Sequence, residues 1–175
     1  AAYIDYYRTM LLQSSPDIEM LMRDDLAAAV QVGLDAAALH GSGSNNQPTG
    51  IASTSGIGSV AGGDNGLAPA WSHIVQLETE VAIDNADAGR LAYMTNPKVR
   101  GKLKQTPRVA STDSRMIWND EAQQPVNGYG AFVTNQVASN LVKGSSGAVC
   151  SAIFFGNWAD LVIGMDEAML PDARS

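Results

Sequence analysis

Apolar and small residues recur at spacings of three and four from Ile18 through Met22, Leu26, Ala29, Gly33 and Ala37 to His40, while Glu19, Arg23, Asp24, Gln31 and Asp35 fall at other angles. This period predicts an amphipathic helix over about 16–40. Its start is marked by Ser15, a good N-cap, by Pro16 at the first helical position, and by the negative charge of Asp17 and Glu19 in the first turn. Roughly 25 residues at about 1.5 Å each make a rod on the order of 37 Å long. The alanines and Gly33 leave room along the stripe for another backbone, and Gly41 is placed to supply a left-handed C-cap. His40 suits the negative end of the helix as a cation.

The pattern breaks at Gly41. Eight glycines fall in the 26 residues from Gly41 to Gly66, with Pro48, Gly50 and several Ser and Asn, which predicts a long irregular connection with a short strand near Ile51. Beyond it, Trp71, Ile74, Leu77 and Val81 share one helical face within Ala70 to Asn85, so a second helix should pack on a sheet. Arg90 to Asn96, RLAYMTN, reads as a buried strand, and Asn96 with Pro97 opens a short helix through Val99 and Leu103. Further strands are predicted at Arg115 to Trp118, Gly130 to Val133, Ala152 to Gly156 and Leu161 to Met165. Turn signals separate them at Gln123 to Gly128, Lys143 to Gly147 and Asn157 to Asp160. Residues 1–13 read as a short strand or a lead-in turn. The body is therefore α+β, with helices interspersed among short strands.

Composition narrows the function. A chain of 175 residues with 45% hydrophobic content can build a real core. Eighteen acidic and 11 basic residues give a net charge of −7, which argues against general nucleic-acid binding, since phosphate contacts rest mainly on Lys and Arg. The basic residues are unevenly spread: Lys98, Arg100, Lys102, Lys104 and Arg108 are five of the 11. They form a solvated helix face, a contact to an acidic surface of a neighbouring chain, for which Asp17, Glu19, Asp24 and Asp25 are the candidate partners, or, as a third option that the overall charge weakens, a nucleic-acid contact. No run of 18 apolar residues and no signal peptide is present, so no membrane partner is expected. The missing initiator Met suggests a processed or excised chain.

Catalytic equipment is not found. The loop GSGSNN lacks the third glycine of a dinucleotide fingerprint and the Gly-Lys-Ser/Thr of a P-loop. His40 and His73 have no Cys or carboxylate at ligand spacing, so no zinc site is assigned, and DNADAG does not match an EF-hand. No G-x-S-x-G elbow occurs. Cys150, in the run VCSAIFF, reads as a buried structural thiol. No catalytic residue, cofactor or metal is expected.

The string LLQSSPDIEMLMRDDLAAAVQVGLDAAALHGSGSNNQPTGI resembles the spine-helix region of tailed-bacteriophage major capsid proteins of the Hong Kong ninety-seven coat fold. The Trp71 helix, LAYMTNPKVRGKL, GYGAFVTNQV and IFFGNWADLVIGM follow in that family's order, and the resemblance covers about 160 of the 175 residues. The phrase at Gly156, Asn157 and Trp158 is similar to the family's FGD(W/F), with Asn in place of Asp. The resemblance implies a peripheral domain that includes residues 1–50 and the spine helix, an axial domain over 51–165 with a mixed sheet and flanking helices, and a return toward the peripheral domain at 166–175. It implies a middle fragment of a shell subunit whose full-length form assembles with copies of itself into pentamers and hexamers. Scaffolding or head-maturation protease proteins would be further partners, with packaged DNA as enclosed cargo, and the location the virion or, during assembly, the host cytoplasm. An encapsulin-like bacterial shell protein shares this fold and stays open as an alternative. A small enzyme using the 41–50 loop as a ligand lid is the alternative of another class.

Overall fold

The computed structural model describes residues 3–5, 18–109 and 115–164. The chain divides into two compact units, Ala1–Gly56 and Ile57–Ser175.

In the first unit, α1 runs Ile18–His40. The cap predicted at Ser15, Pro16 and Asp17 lies outside the described residues. Ile18, Met22 and Leu26 are half-buried, and Leu39 is buried. Among the described residues no other backbone approaches Gly33, where a Cβ would meet nothing within 4 Å.

The helix end and the loop after it correct three expectations. Gly41 is not left-handed; a Cβ there would strike the carbonyl oxygens of Pro48 and Ala37, and one on Gly50 would strike the Gly41 and His40 amide nitrogens. Both glycines are demanded by close backbone crossing. The Gly50 N–H donates to Gly41 O at 2.9 Å, and Ser42 pairs with Thr49 in an antiparallel bridge. Residues 41–50 thus fold back as a small hairpin, turned by Asn45 and Asn46 at φ 54° and 61°. Next comes a 3₁₀ turn at Ile51–Ser53 in place of the expected strand, closed by Ser53 N–H and Thr54 Oγ1 donating to Gly50 O. Burial pushes the His40 imidazole pKa below its ordinary value, so desolvation favours the neutral ring over the cation expected at this helix end.

In the second unit, α2 spans Trp71–Ile83. The His73 Nδ1 in its first turn accepts the Ala70 N–H at 3.1 Å, satisfying a donor just outside the helix. The predicted face is observed, with Ile74 fully buried and Trp71, Leu77 and Val81 half-buried. A three-stranded mixed sheet has the order β2-β1-β3. The central β1, Leu91–Thr95, runs parallel to β2, Gly130–Val133, and antiparallel to β3, Ile153–Asn157. Pairing sets Tyr93 between Ala131 and Phe155. Between β1 and β2 lies α3, Pro97–Leu103, capped by Asn96, whose Oδ1 accepts the Val99 N–H at 3.0 Å.

The core gathers Ile74, Tyr93, Leu103, Ile117, Trp118 and Val126, with Trp71, Tyr129 and Phe155 packed against it. Burying an Ile or Leu side chain contributes about 1.5–3 kcal/mol. Two expected strands are absent. Among the described residues Arg115 to Trp118 makes only single bridges, Met116 to Pro107 and Trp118 to Val126, because its partner changes from the 107 segment to the 126 segment within two residues. Leu161, Val162 and Ile163 are exposed without strand pairing, and Met165 lies outside the described residues. Cys150 is half-buried rather than enclosed, its thiol 3.6 Å from Asn65 O.

Candidate functional site

The basic stretch is built on α3. Asn96 begins it as a buried side chain whose Nδ2 donates to Ala138 O at 3.1 Å and Val137 O at 3.4 Å, so the cap is tied to a segment 41 and 42 residues away. Pro97 then occupies the first turn, where its missing N–H costs nothing. Leu103 turns into the core, and this orientation leaves Lys98, Arg100 and Lys102 exposed.

The five basic residues part into two groups. Lys104 Nζ reaches Asp120 Oδ2 at 2.5 Å, and Trp118 Nε1 donates to Asp120 Oδ1 at 2.9 Å. The Lys104 hydrogen bond holds the Asp120 carboxyl below its usual pKa, with the Trp118 hydrogen bond and the Arg100 charge acting in the same direction. The Arg108 guanidinium lies 4.3 Å from the centre of the Trp71 ring, a cation–π arrangement. The Arg108 main-chain N–H donates to Arg115 O at 2.9 Å. Lys104 and Arg108 are thereby engaged inside the unit. Lys98, Arg100 and Lys102 make no ion pair among the described residues and form the outward cationic face.

Of the acidic set, Glu19 pairs with Arg23 at 2.6 Å one turn along α1. Asp24 and Asp25 are exposed, and Asp17 lies outside the described residues. The acidic set belongs to the first unit and the basic stretch to the second.

Two polar constellations sit at turns that the sequence marks, at 123–128 and 157–160, but their distant partners carry no local signal. Glu78 of α2 accepts Tyr129 OH at 2.8 Å and Asn127 Nδ2 at 2.5 Å, and Tyr93 OH lies 3.4 Å from that same Nδ2. Asn127 and Gly128 have φ of 50° and 79° between the paired Val126 and Tyr129, the two-residue hairpin that an Asn-Gly step favours. At the end of β3, Asn157 Oδ1 accepts the Arg90 N–H at 2.8 Å and the Ala159 N–H at 3.2 Å, while Nδ2 donates to Asp160 Oδ2 at 2.7 Å. Beside it, Trp158 Nε1 donates to Ala92 O at 2.8 Å. Among the described residues no group of three His, Cys, Asp or Glu could hold a metal ion, and no helix is long and apolar enough to cross a membrane.

Residues 1–172 match the phage capsid family. The chain belongs to that family. It is also similar to a major capsid protein of Halomonas phage phiHAP-1, with 33% identity over 158 residues, 90% of this chain. The chain spans 23% of that relative's length. The α+β arrangement, with its mixed sheet and long α1, accords with a capsid-family domain. Within it, the Asn157–Trp158 step that departs from the family's usual Asp has its own partner, the Asp160 carboxylate, which needs a donor that only the amide supplies.

Proposed function

We propose that this chain is part of a major capsid subunit, a structural protein that assembles with copies of itself into an icosahedral shell enclosing phage DNA. The observation that carries this reading is the capsid-family match over residues 1–172. Assembly proceeds by burial of complementary surfaces, with heterologous contacts that close into five- and six-fold rings and no catalytic step. The exposed Lys98, Arg100 and Lys102 face is the contact made to a neighbouring copy, with Glu19, Asp24 and Asp25 of that copy's α1, and Asp17 just before it in sequence, as the acidic counterpart. In this reading residues 1–50 belong to a peripheral domain, 51–165 to an axial domain, and 166–175 begin the return to the peripheral domain. Scaffolding and maturation-protease proteins act on the subunit in the host cytoplasm, and the finished location is the virion.

Electron microscopy of the complete gene product tests the shell directly, and closed particles are the expected result. A full-length chain that stays folded and monomeric under every assembly condition overturns it. Reversing Lys98, Arg100 and Lys102 to Glu tests the contact. The reversed chain should remain folded and lose assembly, and assembly of the natural chain should weaken with added salt, because exposed charges are screened over about 8–10 Å at physiological ionic strength.

A further inference from the structure

Two Asn-Gly dipeptides occur in the chain, Asn65–Gly66 and Asn127–Gly128. Glycine carries no Cβ to shield its nitrogen, so this step is where a main-chain nitrogen most readily attacks the preceding side-chain amide. The two sites share a sequence and differ in everything around it. We propose that Asn65 is a site of spontaneous conversion to aspartate and isoaspartate in the folded chain, and that the fold holds the identical step at Asn127 closed.

Asn65 is exposed, and its Oδ1 accepts the Ser145 N–H at 2.9 Å. That donor draws electron density from Cγ and stabilises the negative oxygen that forms on attack, as an oxyanion-hole donor does. Its Nδ2 has no partner among the described residues, so the leaving group is unrestrained. In the reaction the Gly66 nitrogen bonds to Asn65 Cγ and yields its proton to solvent base. The Cγ–Nδ2 bond then breaks, and the amide nitrogen takes up a proton and leaves as ammonia. Water opens the resulting imide at one of its two carbonyls. Opening at the side-chain carbonyl leaves aspartate, and opening at the main-chain carbonyl leaves isoaspartate with the chain routed through Cγ.

Asn127 is half-buried, and its leaving nitrogen is held by the Glu78 carboxylate at 2.5 Å and faces Tyr93 OH at 3.4 Å. Swinging its Cγ onto the Gly128 nitrogen breaks a charge-assisted hydrogen bond, which slows reaction about tenfold or more. The products at Asn65 also differ in effect. Aspartate keeps an oxygen for the Ser145 N–H, whereas isoaspartate displaces it by an added chain bond, directly beneath the turn whose Gly144 leaves no room for a Cβ beside Asn65 Oδ1. Isoaspartate should therefore loosen the 141–150 segment, which is bridged at Leu141 and Cys150.

The test is peptide mapping by mass spectrometry of the chain held at mildly alkaline pH, once folded and once in denaturant, with isoaspartyl methyltransferase labelling. In the folded chain Asn65 should convert about tenfold faster than Asn127 or more, the factor of one charge-assisted hydrogen bond, and in denaturant the two should convert at similar rates. Glu78→Ala should bring Asn127 toward its denatured rate while Asn65 keeps its own. Equal or faster conversion at Asn127 in the folded natural chain overturns the proposal, as does an Asn65 that converts only in denaturant.

Discussion

The Tyr93 hydroxyl on the central strand donates to the Ile74 carbonyl of α2 at 3.0 Å, and both residues are almost wholly buried. This bond joins helix to sheet at the centre of the second unit's core. Burial, with the Glu78 and Tyr129 charges adding to it, pushes the Tyr93 pKa from 10.0 up to about 12, against the lowering effect of Asn127. The folded state therefore keeps a proton that the unfolded chain loses first. Stability from this group is fully present below pH 10 and is lost as pH rises from there through about 12. Tyr93→Phe should retain the tilted stack on Phe155 at 4.3 Å but cost about 1 kcal/mol in urea unfolding at neutral pH. Its alkaline fall in stability should be shallower than that of the natural chain, read by circular dichroism across the same pH range.

Gly50 and Gly33 should respond to alanine with opposite signs. At Gly50 a Cβ meets fixed backbone at Gly41, His40 and Leu39, so the hairpin over the end of α1 must open. Gly33 sits exposed inside α1 with open space where a Cβ would go, and alanine there gains about 1 kcal/mol of helix propensity. Limited proteolysis and amide exchange should show Gly50→Ala exposing the 41–50 segment and Gly33→Ala protecting the helix. Two variants with the same shift would contradict this assignment.

Local signals in the chain specify its regular elements, and contacts between distant residues decide the rest. Helices α1, α2 and α3 and strands β1 to β3 follow from period, capping and short apolar runs, which are local signals. Gly41 departs from the left-handed cap its sequence predicts because glycine marks both a left-handed turn and a close crossing, and only the position of Pro48 distinguishes them. Leu161 to Ile163 has strand composition without a strand partner, and composition cannot supply one. Glu78 meets Asn127 and Tyr129 across 49 and 51 residues, a separation over which no spacing rule operates. The basic stretch was visible as charge, but its division depends on Trp71 and Asp120, both brought in by folding.

Asn157→Asp would restore the residue usual at this step of the family and should nevertheless destabilise this chain. The new carboxylate still accepts the Arg90 and Ala159 N–H groups, but it faces Asp160 with no proton to donate. The two like charges should make the loss largest at neutral pH and smaller in acid, where one carboxyl is protonated. The double variant Asn157→Asp, Asp160→Asn restores a donor opposite an acceptor and should recover most of the stability. Thermal unfolding of the three variants across pH decides it, and an Asn157→Asp chain as stable as the natural one would remove the explanation offered for the asparagine.

Arg108 and Arg100 should separate folding from assembly within one basic stretch. Arg108 covers the Trp71 ring at 4.3 Å, and Trp71 packs against the buried core. Arg108→Ala uncovers that ring and removes a cation–π contact worth about 0.5–2 kcal/mol, so the midpoint of urea unfolding should fall and the tryptophan fluorescence of the native state should change. Arg108→Lys should recover only part of the loss, because an ammonium does not stack as a planar guanidinium does. Arg100 is exposed and makes no ion pair among the described residues, so Arg100→Ala should leave unfolding within about 0.5 kcal/mol of the natural chain. If the outward face is the intersubunit contact, the full-length Arg100→Ala protein should assemble more slowly and with a weaker dependence on salt. An Arg100 variant that unfolds early, or an Arg108 variant that alters assembly while leaving stability untouched, would reverse the division of labour between the two arginines.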